Sequence, residues 1–217
     1  MAHIPQDSTT NDTSSLASST SLPQDDIKEC NNIRPPQKAF SSEDYTEGPD
    51  YLDGYPLERL DDTDTIFLGF QMRQVNWLLD TTKYEIPEEE QVCSYCGAKG
   101  KLHRNDTERV QLTTYPYADL PTKITVIRQC YKCQEYGNLC VDAIPGRFEH
   151  TNMTQKLADA IFRTLGYGFK GSAYEIALLN RINEEQAALL VNRYEAEHGP
   201  RGSARGRRRI GKKQPNN

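Results

Sequence analysis

The rhythm of apolar and polar positions changes along the chain. Residues 1–60 show no period, and Asp7 to Ser21 is almost wholly Ser, Thr, Asn and Asp. Such a stretch cannot bury enough apolar surface to offset its chain entropy. From Asp64 a period of two takes over. Thr65-Ile-Phe-Leu-Gly-Phe70 is an apolar run of strand length, and Val75, Trp77 and Leu79 alternate with polar or smaller neighbours. These two runs predict a hairpin or small sheet. Val110, Leu112 and Thr114, then Ile124 and Val126, continue the alternation around Tyr115-Pro-Tyr-Ala-Asp-Leu-Pro121. Two antiparallel strands around a turn-rich corner follow from that pattern.

After Thr151 the period becomes helical. Leu157, Ala160, Ile161 and Leu165 recur at helix spacing behind the polar run Thr151-Asn-Met-Thr154, and Gly166-Tyr-Gly168 ends the helix. Ser172 is placed to cap a second helix carrying Tyr174, Ile176, Ala177 and Leu178. Asn183 is placed to cap a third, with Ala187, Leu190, Val191 and Tyr194 on one side. Residues 199–217 lack apolar periodicity and hold seven positive charges between Arg201 and Lys213.

The expected organisation is α+β. A disordered acidic leader (1–63) precedes a β-strand pair with a small zinc ribbon (64–150). Helix-turn-helix-like helices (151–198) and a disordered basic tail (199–217) complete it. Composition supports this division. Hydrophobic residues are 36% and mean hydropathy is −0.77, low for a chain folded throughout. The net charge of −5 hides an asymmetry: residues 1–90 carry 6 Lys+Arg against 19 Asp+Glu, and the remainder is net +8. An acidic pI therefore does not argue against DNA binding by the second half. The start lacks a basic n-region and an apolar h-region, and no 18-residue apolar run exists, so neither secretion nor a membrane span is expected. A reducing, intracellular setting is the expected location.

In such a setting paired cysteines favour metal over disulfides. Cys93-Ser-Tyr-Cys96-Gly97 and Cys130-Tyr-Lys-Cys133 are two Cys-x2-Cys motifs. Two knuckles of this kind present four soft thiolates as a tetrahedron, so Cys93, Cys96, Cys130 and Cys133 are the expected ligands of one closed, structural Zn2+. Gly97 eases the turn where a positive φ is often required. Cys30 stands alone in the leader without a role, and Cys140 is expected in the core. Lys99, Lys101, His103, Arg104, Arg109, Lys123, Arg128 and Lys132 surround the motifs. They either solvate the ribbon and offset its charge or contact phosphate.

The segment from Glu175 to Leu190 fits helix-turn-helix spacing, with small Ala177 at the crossing and Ile182 plugging the turn. Arg181 stands where that turn usually has Gly. Glu184 and Glu185 open the would-be recognition helix and oppose phosphate. Gln186, Asn192 and Arg193 remain as base or phosphate readers. Arg205, Arg207, Arg208 and Arg209 form a phosphate clamp in the tail. An ordinary helical hairpin is the plain alternative.

Taken in order, several of these features resemble the N-terminal region of bacterial insertion-sequence transposases of the ISL-three type. The matching residues are Cys93, Cys96, Gly97, Asp119-Leu-Pro121, Ile124, Val126, Arg128, Cys130, Cys133, Ile144-Pro145, Thr154 and Leu157. The resemblance covers residues 65–195 and implies binding of double-stranded transposon ends. It also implies a full-length transposase or a second copy as partner, and the bacterial cytoplasm, at the nucleoid, as location. The RNase H-like catalytic domain of that family has no counterpart in this sequence, so DNA binding without catalysis is expected. A protein-interaction adaptor built on the ribbon is the alternative.

Overall fold

The computed structural model describes residues 27–36, 51–149 and 151–201. Among them, nine strands and three helices follow one another: β1 (Lys28–Cys30), β2 (Tyr51–Leu52), β3 (Tyr55–Pro56), β4 (Glu58–Arg59), β5 (Thr63–Phe67), β6 (Phe70–Asp80), β7 (Leu102–Tyr117), β8 (Leu120–Cys133), β9 (Leu139–Asp142), α1 (Gln155–Gly166), α2 (Ala173–Asn180) and α3 (Glu184–His198). All strands but β2 and β3 join one mixed, curled sheet of seven.

This corrects the expected fold class. Strand residues reach 41% against 26% helix, and the ribbon is not a small separate unit followed by a helix-turn-helix segment. The physical reason lies in β8. It pairs antiparallel with β7 on one side and parallel with β6 on the other, and its last residues pair with β9. A strand flanked on both sides cannot belong to an isolated ribbon. Residues 28–30 and 51–59, expected in the leader, also form strands: β1 runs parallel to β9, with Lys28 opposite Cys140.

A hairpin of β5 and β6 is present, but it turns at Leu68 and Gly69 (φ 47° and 85°), inside the run Thr65–Phe70 expected to be one strand. The predicted corner is a tighter structure. β7 and β8 close through Ala118 and Asp119, both at positive φ (49° and 59°), the combination of a type I′ hairpin turn. A register shift between Thr114 and Tyr117 takes up the extra residues. Along β6 the alternating Val75, Trp77 and Leu79 are buried, and they meet Leu112, Ile124 and Val126 from β7 and β8. Leu52, Tyr55 and Ile144 cover this core.

The helices share a second core. Ile161, Leu165, Ile176, Ala177, Ile182, Ala187 and Leu190 are all nearly or fully buried there. The second and third helices start at the expected caps, and the first at Thr154, one of several candidates in its polar run. Thr154 accepts from the Leu157 N–H, Ser172 makes a reciprocal capping box with Glu175, and Asn183 accepts from the Gln186 N–H. Arg181 takes the left-handed conformation (φ 55°, ψ 38°) that a side chain rarely adopts. Its guanidinium compensates by donating to the Asp119 and Leu178 carbonyls and lying over the Phe67 ring. The helices are fastened to β7: Thr113 N–H donates to Asn152 O (2.8 Å), Thr154 N–H donates to Thr113 O (3.0 Å), and the Thr114 and Thr154 hydroxyls are 3.0 Å apart. None of the described helices is long and apolar enough to cross a membrane.

Candidate metal centre

The first cysteine motif sits between the 3-10 turn at Glu88–Glu90 and the start of β7. The chain narrows there into a tight loop, bridged by Val92 and Lys99 and by a hydrogen bond from Gly100 N–H to Gln91 O. Within it, Cys93 N–H donates to Ala98 O (3.0 Å) and Gly97 N–H donates to Cys93 O (2.8 Å). Gly97 takes φ 71°, as the sequence predicts. This turn carries Cys93 and Cys96.

The turn between β8 and β9 repeats the pattern. Cys133 N–H donates to Asn138 O (2.9 Å), Gly137 N–H donates to Cys133 O (2.8 Å), and Gly137 takes φ 70°. Cys133 therefore opens the second knuckle; it does not close it. The position equivalent to Cys96 is Tyr136. Cys93, Cys96 and Cys133 bring their sulfurs within 4.8 Å of one another, and Cys96 Sγ lies 3.7 Å from Cys133 Sγ. Thiolates bound tetrahedrally to Zn2+ at about 2.3 Å are roughly 3.8 Å apart. The three cysteines fit a soft metal ion.

Cys130 is a correction to the expected ligand set. It lies within β8, opposite Asp106 on β7 and Val141 on β9. Side chains alternate along a strand, so residues three apart face opposite ways. With Cys133 directed to the cluster, Cys130 is directed away from it. Burial, and then the Glu108 carboxylate, push its thiol up. Extension of β8 as far as Cys133 thus separates the two cysteines of the second motif.

Electrostatics favour a thiolate at Cys133. Burial works against ionisation, but the backbone N–H groups of Tyr136 and Glu135 and the Cys93 and Cys96 thiols hydrogen-bond the sulfur and draw it below the ordinary thiol value. Cys96 moves the other way. The Ala98 N–H favours its thiolate, yet burial and its contacts with Cys93 and Cys133 hold it up.

Two further cysteines lie behind the cluster, in the same buried group with Leu102 and Tyr131. Cys30, on β1, donates to Ser94 Oγ (3.3 Å) and is hydrogen-bonded to Cys140 on β9. The Cys140 contact lowers the Cys30 thiol to about 6, and the same contact with burial raises Cys140. Sequence reasoning gave Cys30 no place because its partner strand lies more than a hundred residues away. The signal for Tyr136 was present: Cys-x3-Gly recurs at Cys93/Gly97 and Cys133/Gly137.

The expected DNA-contacting residues divide. Lys99, Lys101, Arg109 and Lys132 are exposed, as is His103, which pairs opposite Lys132 across β7 and β8. Arg104 is exposed but lies 2.7 Å from the buried Glu85 carboxylate. Arg128 is 8% exposed and enclosed. Its Nε and Nη2 meet Glu108, and Nη1 donates to Glu29 (2.9 Å) and Asp142 O (3.0 Å). Arg147 reaches the same Glu29 oxygen at 3.0 Å. A guanidinium so enclosed holds β1, β7, β8 and β9 together and does not reach phosphate. On α3, Gln186 donates to Thr113 Oγ1 (3.1 Å), and Arg193 pairs with Glu149 and Glu197 over the Phe148 ring. Asn192 is exposed. Arg205, Arg207, Arg208 and Arg209 lie outside the described residues.

In comparisons with known proteins, no family model matches the chain, and no curated protein or solved structure matches it either.

Proposed function

We propose that the protein binds double-stranded DNA through the cationic face beside its metal centre, with Zn2+ on Cys93, Cys96 and Cys133 holding the two turns in place. One observation carries this reading. Lys99, Lys101 and Lys132, with His103, are exposed next to the cluster, and none of them is in an ion pair among the described residues. Free ammonium groups are what phosphate contact requires. The face of α3 is less suitable: Gln186 and Arg193 are engaged within the fold, and Glu184 and Glu185 open the helix. Borderline-soft Zn2+ suits a thiolate set. The resemblance to ISL-three transposases makes transposon-end duplex the DNA to try first. The reading assigns binding and no reaction.

The test is affinity across salt for wild type and for K99E/K101E/K132E. Loss of three phosphate contacts flattens the slope of log K against log salt by up to about 2.7. Unchanged affinity and slope in a folded, metal-loaded triple variant overturns the proposal.

A second reading, a protein-interaction adaptor, is favoured by the α2–α3 surface. Leu179 and Leu189 are 60% and 48% exposed there, near Glu184 and Glu185. Pull-down with and without nuclease separates the two: capture that survives nuclease belongs to the adaptor.

A further inference from the structure

The two turns of the metal centre have the same backbone and different side chains. In each, the first cysteine donates its N–H to the carbonyl five residues on, and the glycine four residues on donates back to that cysteine's carbonyl. Each of these glycines has a positive φ near 70°. A backbone of this form delivers two ligands, at its first and fourth residues. The first turn supplies Cys93 and Cys96. The second supplies Cys133 and, at its fourth residue, Tyr136.

Tyr136 does not fill the place of a fourth ligand from inside. It is 70% exposed, so its ring stands mainly in solvent. Cys96, its counterpart, is also on the surface. The other cysteines are committed elsewhere. Cys130 faces away across β8, and neither Cys30 nor Cys140 brings its sulfur within 4.8 Å of all three cluster sulfurs. A closed structural site satisfies all four tetrahedral positions from the protein, whereas a site with three protein ligands leaves one for an outside group.

We propose that the ion held by Cys93, Cys96 and Cys133 keeps its fourth coordination position open to solvent beside Tyr136, and that this position takes an exogenous thiolate. The inference rests on the metal-centre reading above and goes beyond it by giving the site a ligand. A thiolate is the class favoured by the first three donors, since a soft environment selects soft ligands. The charge also fits. Three thiolates on a divalent cation leave −1 and a fourth leaves −2, while Lys99, Lys101 and Lys132 stand exposed around the two turns. The sulfur comes from a small thiol or from a cysteine of another chain. The proposed step exchanges ligands only. The incoming thiol loses its proton to solvent and its sulfur displaces a bound water, with no change of oxidation state.

The experiment uses the full chain, prepared with a phosphine reductant and loaded with Co2+ as a visible probe. Thiolate-to-cobalt charge-transfer absorbance is followed as β-mercaptoethanol is added. Wild type gains roughly one third as three sulfurs become four. The Tyr136→Cys variant already shows the higher absorbance and does not respond, because the turn now supplies the fourth sulfur. The Tyr136→Phe variant behaves as wild type. Position 136 is on the surface, so neither change threatens the fold. A gain that tracks protein concentration without added thiol assigns the sulfur to a second chain; a gain only on addition assigns it to a small thiol. Both support the proposal. A wild-type spectrum that is already four-sulfur and unresponsive in dilute protein overturns it, and loss of absorbance in Cys130→Ser or Cys140→Ser would then name the internal ligand. Failure to take up Co2+ at all overturns the metal-centre reading itself, a distinguishable result.

Discussion

Replacing Asp142 with Asn should change how stability depends on pH, and the structure sets the size of the effect. Asp142 ends β9 and is fully buried. One carboxylate oxygen accepts from the Tyr131 hydroxyl at 3.0 Å; the other has no hydrogen-bond partner. Burial, the largest influence, raises the carboxyl from 3.8 to about 7; the Tyr131 hydrogen bond opposes this and the neighbouring Glu85 carboxylate adds to it. A carboxyl with a raised folded-state pKa keeps a proton that the unfolded chain has already released. Its contribution is therefore fully present below about pH 4 and is lost as pH rises through about 7. Raising the carboxyl from 3.8 to about 7 corresponds to on the order of 4 kcal/mol. Asn is neutral at every pH and nearly the same shape, so Asp142→Asn removes this dependence. Urea unfolding of both proteins over roughly pH 4.5 to 8.5 gives the difference directly, and effects shared by the two, such as metal release, cancel. The variant should gain on wild type by several kcal/mol towards the alkaline end. A constant offset across that range would refute the assignment of a buried, proton-holding carboxyl.

Three further substitutions test the helices. Ser172→Ala removes one side of the Ser172–Glu175 capping box and should cost about 1 kcal/mol in chemical denaturation. Leu190→Ala empties a fully buried position between the helices and should cost roughly 2–5 kcal/mol, whereas Leu179→Ala, at a position 60% exposed on α2, should leave the unfolding midpoint almost unchanged.

What the sequence disclosed depended on how local the determining interaction is. Ser172 and Asn183 were legible as caps, and Thr154 as one of several candidates, because each bonds a backbone amide three residues on. The β5–β6 hairpin was legible as a pairing of neighbouring runs, but its turn at Leu68 and Gly69 falls inside the run read as one strand. The sheet was not. Lys28–Cys30 has the composition of a leader and becomes a strand only because β9 presents a free edge to it. The outer half of β7, from His103 to Thr107, is exposed throughout and carries no apolar alternation, yet, with one register shift between Arg104 and Asp106, it pairs with β8 as far as Cys133. That extension overturned the second metal motif. Cys-x2-Cys spacing identified which residues had the right chemistry. The strand path decided which of them turn toward the cluster, and Cys130 was the one carried away. Likewise Arg128 looked like a free cation in sequence. Glu29 and Glu108, distant from it in the chain, claim its guanidinium in the fold.

Three cysteines, and not the four of the paired motifs, are placed to hold a metal ion. Zinc content per chain, measured after dialysis for Cys93→Ser, Cys96→Ser, Cys130→Ser and Cys133→Ser, tests it most directly. One zinc per chain is expected in wild type and in Cys130→Ser, and marked loss in the other three. Loss in Cys130→Ser equal to that in Cys133→Ser would contradict it.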